Sequence, residues 1–587
     1  MGSAIAPIAA AISGSRGPGN EMNAEAAVPD SIDRLAHDVM FGILSECPDL
    51  AADLGIDSVD GQALPMNGMP DFSAGGAGRR DAMMRGWQER LSSVPADRIP
   101  KKDVITRDVL HYILTKGVQN RFVGVDGQVH ADHIEPLTHL TGVHATAMQL
   151  VAAGPVDVSR ERLAAWLERL ARLPDAVTDA TEALRLRRRA GFVLAEILVR
   201  RAAADIRLQL AENNAFVRAL GARQAAVAGY FGTNRLESAR DIVGRRLKSS
   251  YSALTDELDR HAECRRESIS ALSRKGGDAF YAWRLTALST TKTTPEEAHR
   301  AGLDELRRLD GEFREAFAAL GLRGSRAENF AAFAAANAYS PGEAGRAEAE
   351  RDLRNWLAEA REATRPLFRL WPRAEAEIEI MPLQDEASQH SYYRAPSASR
   401  GGRGVFLANL SHVVATGKAE AAIVCFHETW PGHHLQLSIA AELEASTFRR
   451  AVLFRSFLEG WAKYAESLPE SVGLGNPHTR IARLRTELYS TATLAMDTGV
   501  HHHGWSAERA RDFFVAETAA PAALADMVVM RSVASPGDLC TYKIGMQKVR
   551  ALKGRFADAH PGSEIRDFHD ALLQNGALPF EVLDNLV

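Results

Sequence analysis

The chain has 587 residues and a net charge of −5, with 46% apolar and 25% charged residues. This composition is typical of a soluble globular protein with one large domain or two to three smaller ones. The small net charge gives no reason to expect nucleic acid or an anionic membrane surface as the main partner. The four cysteines form no CxxC pair, which favours reduced, mostly buried thiols over a disulfide framework.

Residues 1–30 are predicted to be a disordered leader. Their apolar stretch has no Lys or Arg before it and is interrupted by Pro7, so it does not resemble a secretory signal. No later stretch reaches the ~18 uninterrupted apolar residues that a membrane span requires. We therefore predict a cytoplasmic protein, and its oligomeric state stays open.

Residues 31–330 show the pattern of successive helices. Apolar residues recur at three- and four-residue steps, for example at Leu163, Trp166, Leu167, Leu170 and Leu173. We predict that residues 31–330 form a helical N-terminal half, one wall of a cleft, and that residues 331–587 carry the chemistry.

Residues 375–412 break this helical pattern. EIEIMPL alternates in polarity, VFLANL is short and apolar, and a loop rich in Gly, Ser and Arg lies between them. The two runs predict a small β-hairpin or sheet edge in a mainly α protein.

The stretch CFHETWPGHHLQ, residues 425–436, begins like the helix of a zinc protease. In the HExxH motif the second histidine follows one helical turn after the first. Here His433 and His434 follow His427 by six and seven residues, and a straight helix would separate positions i and i+7 by ~10.5 Å. Pro431 and Gly432 can interrupt the helix, so we predict a two-residue bulge that puts His433 in the place of the second ligand.

A third metal ligand is expected from the next apolar helix, around FLEGWAKYAES. Glu459 is flanked there by large apolar residues, where an unpaired carboxylate would be costly to bury. A metal ion would explain Glu459, and an ion pair with Arg455 is the alternative. Glu428 directly follows His427 and is predicted to act as general base towards water at the metal. Cys425 points away from this face and is excluded as a ligand.

Two later segments carry further polar side chains. AMDTGVHHHGWS contains the histidines 501–503, and PGDLCTYKIG contains Tyr542 and Lys543. Hydrolysis at a metal needs hydrogen-bond donors for the oxyanion of the transition state, and a His and a Tyr in these segments would suit. The alternative for His502 and His503 is that they are merely exposed or packed, and three consecutive histidines alone do not establish a second metal site.

The chain resembles a known bacterial family. HETWPGHHLQ, FLEGWAKYAE, DTGVHHHGWS, PGDLCTYKIG and FHDALLQNGALPFEVL occur in the order typical of domain of unknown function 885. The resemblance extends from about residue 31 to the end. It implies a mainly α, large helical zincin-like (gluzincin-type) metallopeptidase fold with a deep central cleft, one zinc ion and peptidase activity. It also favours His433 over His434 as ligand and places His501 and Tyr542 near the site, where we expect both to stabilise the oxyanion.

The resemblance further suggests substrate-binding residues. Tyr392 and Tyr393 match the aromatic pair of the family, and Asn409 matches its usual Asn. The family loop GSRPG is replaced here by ASRGGRG, so its arginine, Arg400 or Arg403, is shifted in register. We expect Tyr393 and Asn409 to contact substrate and Arg403 or Lys543 to hold a substrate carboxylate.

Three hypotheses follow. In the first, His427, His433 and Glu459 hold Zn²⁺ (with Mn²⁺ or Fe²⁺ as other possible ions), and the enzyme cleaves an amide bond in a short peptide or peptide-like molecule. In the second, the same site acts on a specialised small molecule by other chemistry, as the changed Arg-Gly loop suggests. In the third, the chain is a non-catalytic helical binding protein. No nucleic-acid or membrane partner is expected.

Overall fold

A computed structural model gives the conformation of most of the chain. It describes residues 31–119, 122–123, 129–130, 137–152, 159–264, 266–383, 386, 390–396 and 402–587. The predicted leader, residues 1–30, lies outside the described residues. None of the described helices is both long and apolar enough to cross a membrane.

The described chain forms two compact units: an N-terminal unit of residues 31–269 with Ser446–Phe448, and a C-terminal unit of Ser270–Ala445 with Arg449–Val587. The sequence-based boundary at 330/331 lies inside the C-terminal unit. Helix α12 (Pro295–Ala319) belongs to that unit because it packs along α21 (Pro477–His501), with Gly302 against Ala495. A contact between elements so distant in sequence leaves no mark in local composition.

The described residues of the N-terminal unit form mostly helices, with two short antiparallel pairs of strands. Its strands are β1 (Ser58–Val59) with β2 (Gln62–Ala63), and β3 (Phe122–Val123) with β4 (Val129–His130). Its helices are α1 Ile32–Glu46, α2 Pro48–Leu54, α3 Ala74–Ser93, α4 Val104–Gln119, α5 Val143–Ala147, α6 Arg160–Arg189, α7 Glu196–Leu208, α8 Ala215–Phe231, α9 Thr233–Asp241 and α10 Leu247–Glu263.

Helix α6 carries the apolar stripe that the sequence indicated. Leu163, Trp166, Leu167, Leu170 and Leu173 are all buried in one core cluster. Helices α7 and α10 contribute to the same cluster and pack against each other. The helical prediction for this part of the chain is confirmed.

The C-terminal unit adds further helices and a three-stranded sheet. From residue 270 onward the strands are β5 Ala376–Ile380, β6 Tyr392–Arg394 and β7 Gly404–Ala408. The helices besides α12 and α21 are α11 Gly277–Ser289, α13 Arg326–Ala336, α14 Glu343–Thr364, α15 Leu410–Thr416, α16 Lys418–Glu428, α17 His433–Ala441, α19 Arg455–Ala465, α20 Leu468–Ser471, α22 Ala507–Thr518, α23 Ala522–Ala534, α24 Cys540–Ala559, α25 Ile565–Leu573 and α26 Phe580–Leu583. Helix α18 (Thr447–Ala451) has its first two residues in the N-terminal unit and the rest in this one.

The sheet corrects one prediction. Its order is β5-β7-β6, and β5 runs parallel to β7, so EIEIMPL and VFLANL do not form a hairpin. Strand β6 lies between them in sequence and pairs antiparallel with β7. The chain therefore reverses twice between β5 and β7. Phe406 and Ala408 on β7 join the apolar cluster of α14–α16, which fixes the sheet beside α16.

Helices α19 and α24 cross at a point where only glycine fits. A Cβ atom on Gly460 would overlap the backbone of Gly545, and one on Gly545 would overlap the carbonyl of Ser456. The two backbones therefore touch without intervening side chains. Glu459 and Tyr542, on these two helices, are held next to this crossing.

We expect Gly545→Ala to destabilise the C-terminal unit by about 1–3 kcal/mol, because the added methyl must push two backbones apart. Gly554→Ala on the same helix is the matched control, since a Cβ there meets no atom within 4 Å. The control should be neutral or stabilising by up to about 1 kcal/mol. Urea denaturation of both variants measures the difference, and equal midpoints would contradict the close crossing.

Candidate metal centre

The segment between α16 and α17 determines where the two histidines lie. Helix α16 ends with His427 and Glu428, residues 429–432 leave the helical conformation, and α17 begins at His433. The Trp430–Pro431 peptide bond is cis. The interruption is thus a complete break of four residues, larger than the predicted two-residue bulge. It places the His427 and His433 rings with centroids 4.7 Å apart and nearly perpendicular planes.

Gly432 and Trp461 hold this break in place. A Cβ atom on Gly432 would overlap the carbonyl oxygens of Phe426 and His427, so the chain can fold back onto α16 only with glycine here. Trp461 on α19 donates its indole N–H to the Pro431 carbonyl at 3.0 Å. Because Glu459 precedes Trp461 by two residues, this bond ties the histidine turn to the helix that carries the third predicted ligand.

The three predicted metal ligands are brought together. One ligand atom each from His427, His433 and Glu459 lies within 4.8 Å of the other two. Glu459 Oε2 is 3.5 Å from His427 Nε2 and 3.6 Å from His433 Nε2. The residues come from α16, α17 and α19, and all three side chains are largely buried.

These separations fit an ion better than direct hydrogen bonds. Hydrogen bonds between nitrogen and oxygen are usually about 2.7–3.2 Å long. Ligand atoms at bonds of ~2.1 Å and tetrahedral angles lie about 3.4 Å apart. The donor set of two imidazoles and one carboxylate, with a fourth position open, is also the set used in catalytic zinc sites. The residues therefore fit a zinc-type cation.

A second layer of residues orients His427. Its Nδ1 lies 3.0 Å from Glu466 Oε1, which leaves Nε2 to face Glu459. Glu466 in turn accepts from Lys463 Nζ at 2.7 Å and from Thr486 Oγ1 at 2.6 Å. Burial opposes a charged His427, but the nearby carboxylates of Glu459 and Glu466 outweigh it and raise the pKa of His427. A carboxylate behind a ligating histidine is the usual second-layer partner in metal sites.

His433 lacks such support. Its Nδ1 is buried and has no hydrogen-bond partner within the described residues. The ring is positioned instead by the start of α17 and by its edge-to-face contact with His427. His427 is consequently the more firmly oriented of the two predicted histidine ligands.

Glu459 lies close to the two histidines of the predicted metal site and also to Arg455, its alternative partner. Oε2 faces the two imidazoles, whereas Oε1 lies 3.6 Å from Arg455 Nη2. Arg455 forms a closer ion pair with Asp538, at 2.6 Å. Burial opposes the Glu459 carboxylate, but the two histidines and Arg455 hold its pKa well below the usual value. The carboxylate is ionised, as metal ligation requires.

Glu428 lies beside the three ligand residues. Its side chain is buried, and it interacts electrostatically with His427, His433 and Glu459. Within the described residues no hydrogen bond engages its carboxylate. Burial raises the pKa of Glu428, and the nearby Glu459 charge raises it further. His427 and His433 lower this pKa, but their effect is the smaller one. A carboxylate with a raised pKa and no fixed partner is suited to proton transfer.

Tyr542 is connected to the centre by hydrogen bonds from two arginines. Its hydroxyl is 3.1 Å from Arg455 Nη2 and 3.4 Å from Arg531 Nη2. Guanidinium groups only donate, so the Tyr542 oxygen accepts both bonds and its own hydrogen remains available for a further acceptor. Burial raises the pKa of Tyr542, as does the nearby Glu459 charge, which keeps the phenol protonated.

His434 is a packing residue. It is fully buried, Tyr393 donates its hydroxyl to Nδ1 at 2.8 Å, and Nε2 lies 3.1 Å from the Ala374 carbonyl. Burial lowers the pKa of His434 to about 3, so the ring is neutral and both nitrogens are occupied. The choice of His433 over His434 agrees with this arrangement. Tyr393, predicted to contact substrate, supports His434 instead.

His501 is also engaged by the fold. Its Nδ1 accepts the Ala271 amide N–H at 3.2 Å, and its Nε2 lies 3.1 Å from the Ser532 carbonyl. These two bonds define a neutral ring with the proton on Nε2. The predicted role of His501 as an oxyanion donor therefore has no geometric support, because its N–H is directed at backbone.

The structure gives the other predicted substrate-binding residues different roles. Lys543 is fully buried between Glu305 and Glu487, at 2.6 and 2.8 Å, so its charge is already neutralised. Asn409 caps α15 by accepting the His412 amide N–H. Arg403 is exposed and pairs with Glu377. Arg400 lies outside the described residues.

Sequence reasoning did not identify the residues that support the ligands. Glu466 follows Glu459 by seven residues, a spacing that returns to nearly the same helix face, and this was a usable signal. Arg455 and Arg531 both pair with Asp538. Arg455 lies more than 80 residues before Asp538, and the sequence contains no sign of that contact.

Comparisons with known proteins agree on family and fold. The model of the family described as "Bacterial protein of unknown function (DUF885)" matches residues 48–587. A crystal structure of a candidate lipoprotein from Colwellia psychrerythraea superposes with a TM-score of 0.84 at 20% identity, covering 94% of this chain and 98% of that one. A candidate lipoprotein of unknown function from Shewanella oneidensis gives 0.69 at 14% identity, covering 95% and 99%. No curated protein matches the chain.

We expect Glu466→Gln to weaken metal binding by about 10–100-fold, because the carboxylate that orients His427 loses its charge. The matched control is Glu470→Gln, which removes an exposed partner of Arg483 instead. Isothermal titration with Zn²⁺ measures both variants. Equal affinity in Glu466→Gln and the wild type would show that Glu466 does not support the ligand.

Proposed function

This chain belongs to the bacterial DUF885 family, and we propose that it is a zinc-dependent hydrolase. Its substrate would be an amide bond in a short peptide or peptide-like small molecule. The observation that supports this most is the buried cluster of His427, His433 and Glu459, beside which the Glu428 carboxylate forms no hydrogen bond to any described residue. A helical zincin-like fold with the site in a cleft is part of the proposal.

The ion would supply one part of the chemistry. Zinc held by His427, His433 and Glu459 would act as a Lewis acid and lower the pKa of water. The protein contributes the ligand geometry and a largely buried environment, in which electrostatic interactions are stronger than in bulk water.

Glu428 would act as the general base and then as the general acid. Its carboxylate would take a proton from the attacking water and deliver it to the departing amine. A raised pKa suits both steps, because it makes the carboxylate a stronger base while the group can still release the proton. Because no described residue forms a hydrogen bond to this carboxylate, its oxygens could accept a hydrogen bond from that water.

Tyr542 would stabilise the negative charge that develops on the substrate carbonyl oxygen. Its hydroxyl accepts from Arg455 and Arg531, so its hydrogen can be donated to the oxyanion. The two guanidinium groups polarise the phenol and strengthen this donation. Tyr542 would thus be the donor to the oxyanion, because the N–H of His501 is directed at a backbone carbonyl.

Localisation and reaction class stay predictions. The two similar solved structures are described as candidate lipoproteins, and that description applies to those proteins. Cell fractionation tests the cytoplasmic prediction for this chain.

The loop that motivated other chemistry on a specialised small molecule lies mostly outside the described residues. A metal-loaded protein that leaves every member of a broad peptide panel intact would favour that alternative.

Glu428→Gln is expected to lower kcat on a cleavable short peptide by at least about 10²-fold, because the general base is lost. Zinc content should stay at about one equivalent in the buried site, since Glu428 is not a ligand. Peptide turnover and elemental mass spectrometry on the same samples give both quantities. Full activity in this variant would eliminate the proposed mechanism.

Tyr542→Phe should reduce kcat by about 10²–10³-fold with little change in zinc content, because a single oxyanion donor is removed. Steady-state kinetics separate kcat from KM. A change confined to KM would assign Tyr542 to substrate binding rather than to the transition state.

His433→Ala and His434→Ala separate the two adjacent histidines. The first should abolish zinc binding at the buried cluster. The second should keep the zinc but lower the melting temperature, because the polar groups of Tyr393 and Ala374 lose their partner. Metal analysis and thermal denaturation together are decisive, and loss of the metal only in His434→Ala would overturn the assigned ligand set.

A further inference from the structure

A second group of metal-ligating side chains lies at the end of α21. Among the described residues, two sets of three could hold an ion, and the second consists of Glu296, His502 and His503. We propose that this set is an additional, solvent-accessible metal site that binds a divalent cation of the Zn²⁺, Cu²⁺ or Ni²⁺ type. This inference goes beyond the proposed hydrolase function and does not depend on it.

The donor atoms converge on one point. Glu296 Oε2 lies 3.3 Å from His502 Nε2 and 3.4 Å from His503 Nε2. All three donor atoms lie within 4.8 Å of one another. These separations are close to the ~3.4 Å expected around a tetrahedral ion with bonds of ~2.1 Å. The same comparison supports the buried cluster.

The backbone that carries the histidines is fixed. The amides of His502 and His503 both donate to the Thr498 carbonyl, at 2.8 and 3.2 Å. Gly504 then adopts a left-handed conformation, with φ of 69°, that turns the chain away from α21. Trp505 packs back against Gly499, where a Cβ atom would overlap the indole ring. Consecutive histidines therefore project from a constrained helix end rather than from a free loop.

The carboxylate is fixed from the opposite side. Glu296 lies in the first turn of α12, whose start is defined by the capping box between Thr294 and Glu297. Arg300 donates Nε to Glu296 Oε1 at 2.8 Å, which leaves Oε2 to face the imidazoles. Because α12 packs along α21, the carboxylate and the helix end that carries the histidines are held by the same pair of helices. Donors on rigid elements favour metal binding, since little motion must be lost.

A neutral histidine lies beside the site. The His299 ring lies 4.4 Å from the His503 ring, and its Nδ1 is 2.8 Å from Thr498 Oγ1. Burial lowers the pKa of His299, so this neighbour adds no positive charge against a bound cation.

The donor types select the ion. Two imidazoles and one carboxylate suit Zn²⁺, Cu²⁺ and Ni²⁺, whereas Mg²⁺ and Ca²⁺ prefer sites made of oxygen ligands. The side chains are 35–40% exposed, so water can complete the coordination. An ion here would link the first turn of α12 to the end of α21. Without an ion, the partly exposed pairs of Glu296 with histidine would contribute little to stability.

The test uses the full-length protein without a histidine tag, stripped with chelator and titrated with Zn²⁺ by calorimetry at pH 7.5. The wild type should bind two equivalents. Glu296→Gln and His503→Ala should each lose one, and His560→Ala, which removes an exposed histidine outside both clusters, should lose none. Magnesium titration should show no binding at the outer site.

The His433→Ala background isolates the outer site from the buried one. This variant should still bind one zinc and show a rise in melting temperature on zinc addition, and His433→Ala/His503→Ala should show neither. One equivalent in the wild type that survives His433→Ala but not His503→Ala supports the outer site and overturns the hydrolase proposal. Unchanged stoichiometry in both Glu296→Gln and His503→Ala, or no zinc binding in any protein, overturns the outer site.

Discussion

The contact of Trp461 with the Pro431 carbonyl fixes the geometry of the whole centre. It joins the turn between α16 and α17, which positions both histidines, to α19, which carries Glu459. Helix α19 is itself held against α24 by the glycine crossing, so Tyr542 is placed relative to the same point. A short helix that makes all these contacts has little freedom to move. The relative positions of the three predicted ligands therefore depend on how α19 is packed.

Sequence could predict the parts of the centre that are close along the chain. The spacing of His427, Pro431, Gly432 and His433 was enough to indicate an interrupted helix, because proline and glycine have known backbone effects. The predicted size of the break, two residues, was too small, because the chain at Gly432 folds back so close to the carbonyls of α16 that a Cβ atom would overlap them. An apolar setting likewise identified Glu459, because burial of a lone carboxylate is costly.

Longer-range contacts escaped prediction for a physical reason. Lys543 looked like a candidate for binding a substrate carboxylate, yet Glu305 and Glu487, each more than 50 residues away, neutralise it. His501 looked like an oxyanion donor, yet Ala271, 230 residues earlier, and Ser532 occupy its ring. The parallel pairing of β5 with β7 has the same origin. Local pattern determines which elements form, whereas partners are determined by packing between distant segments.

The distribution of buried charge gives the centre its chemical character. Glu466 is matched by Lys463, and Asp538 is matched by Arg531 and Arg455. Glu459 has the two imidazoles and, at 3.6 Å, Arg455 beside it, whereas among the described residues Glu428 has the two imidazoles and the Glu459 carboxylate. Two carboxylates so close in a buried site require additional positive charge, from a proton or from a cation. Lys463 balances Glu466, whereas Arg455 and Arg531 more than balance Asp538 and leave part of the Arg455 charge to Glu459. In the described part of the chain Glu428 has no such cation beside it, so a proton or a bound cation would complete the charge balance where His427, His433 and Glu459 converge.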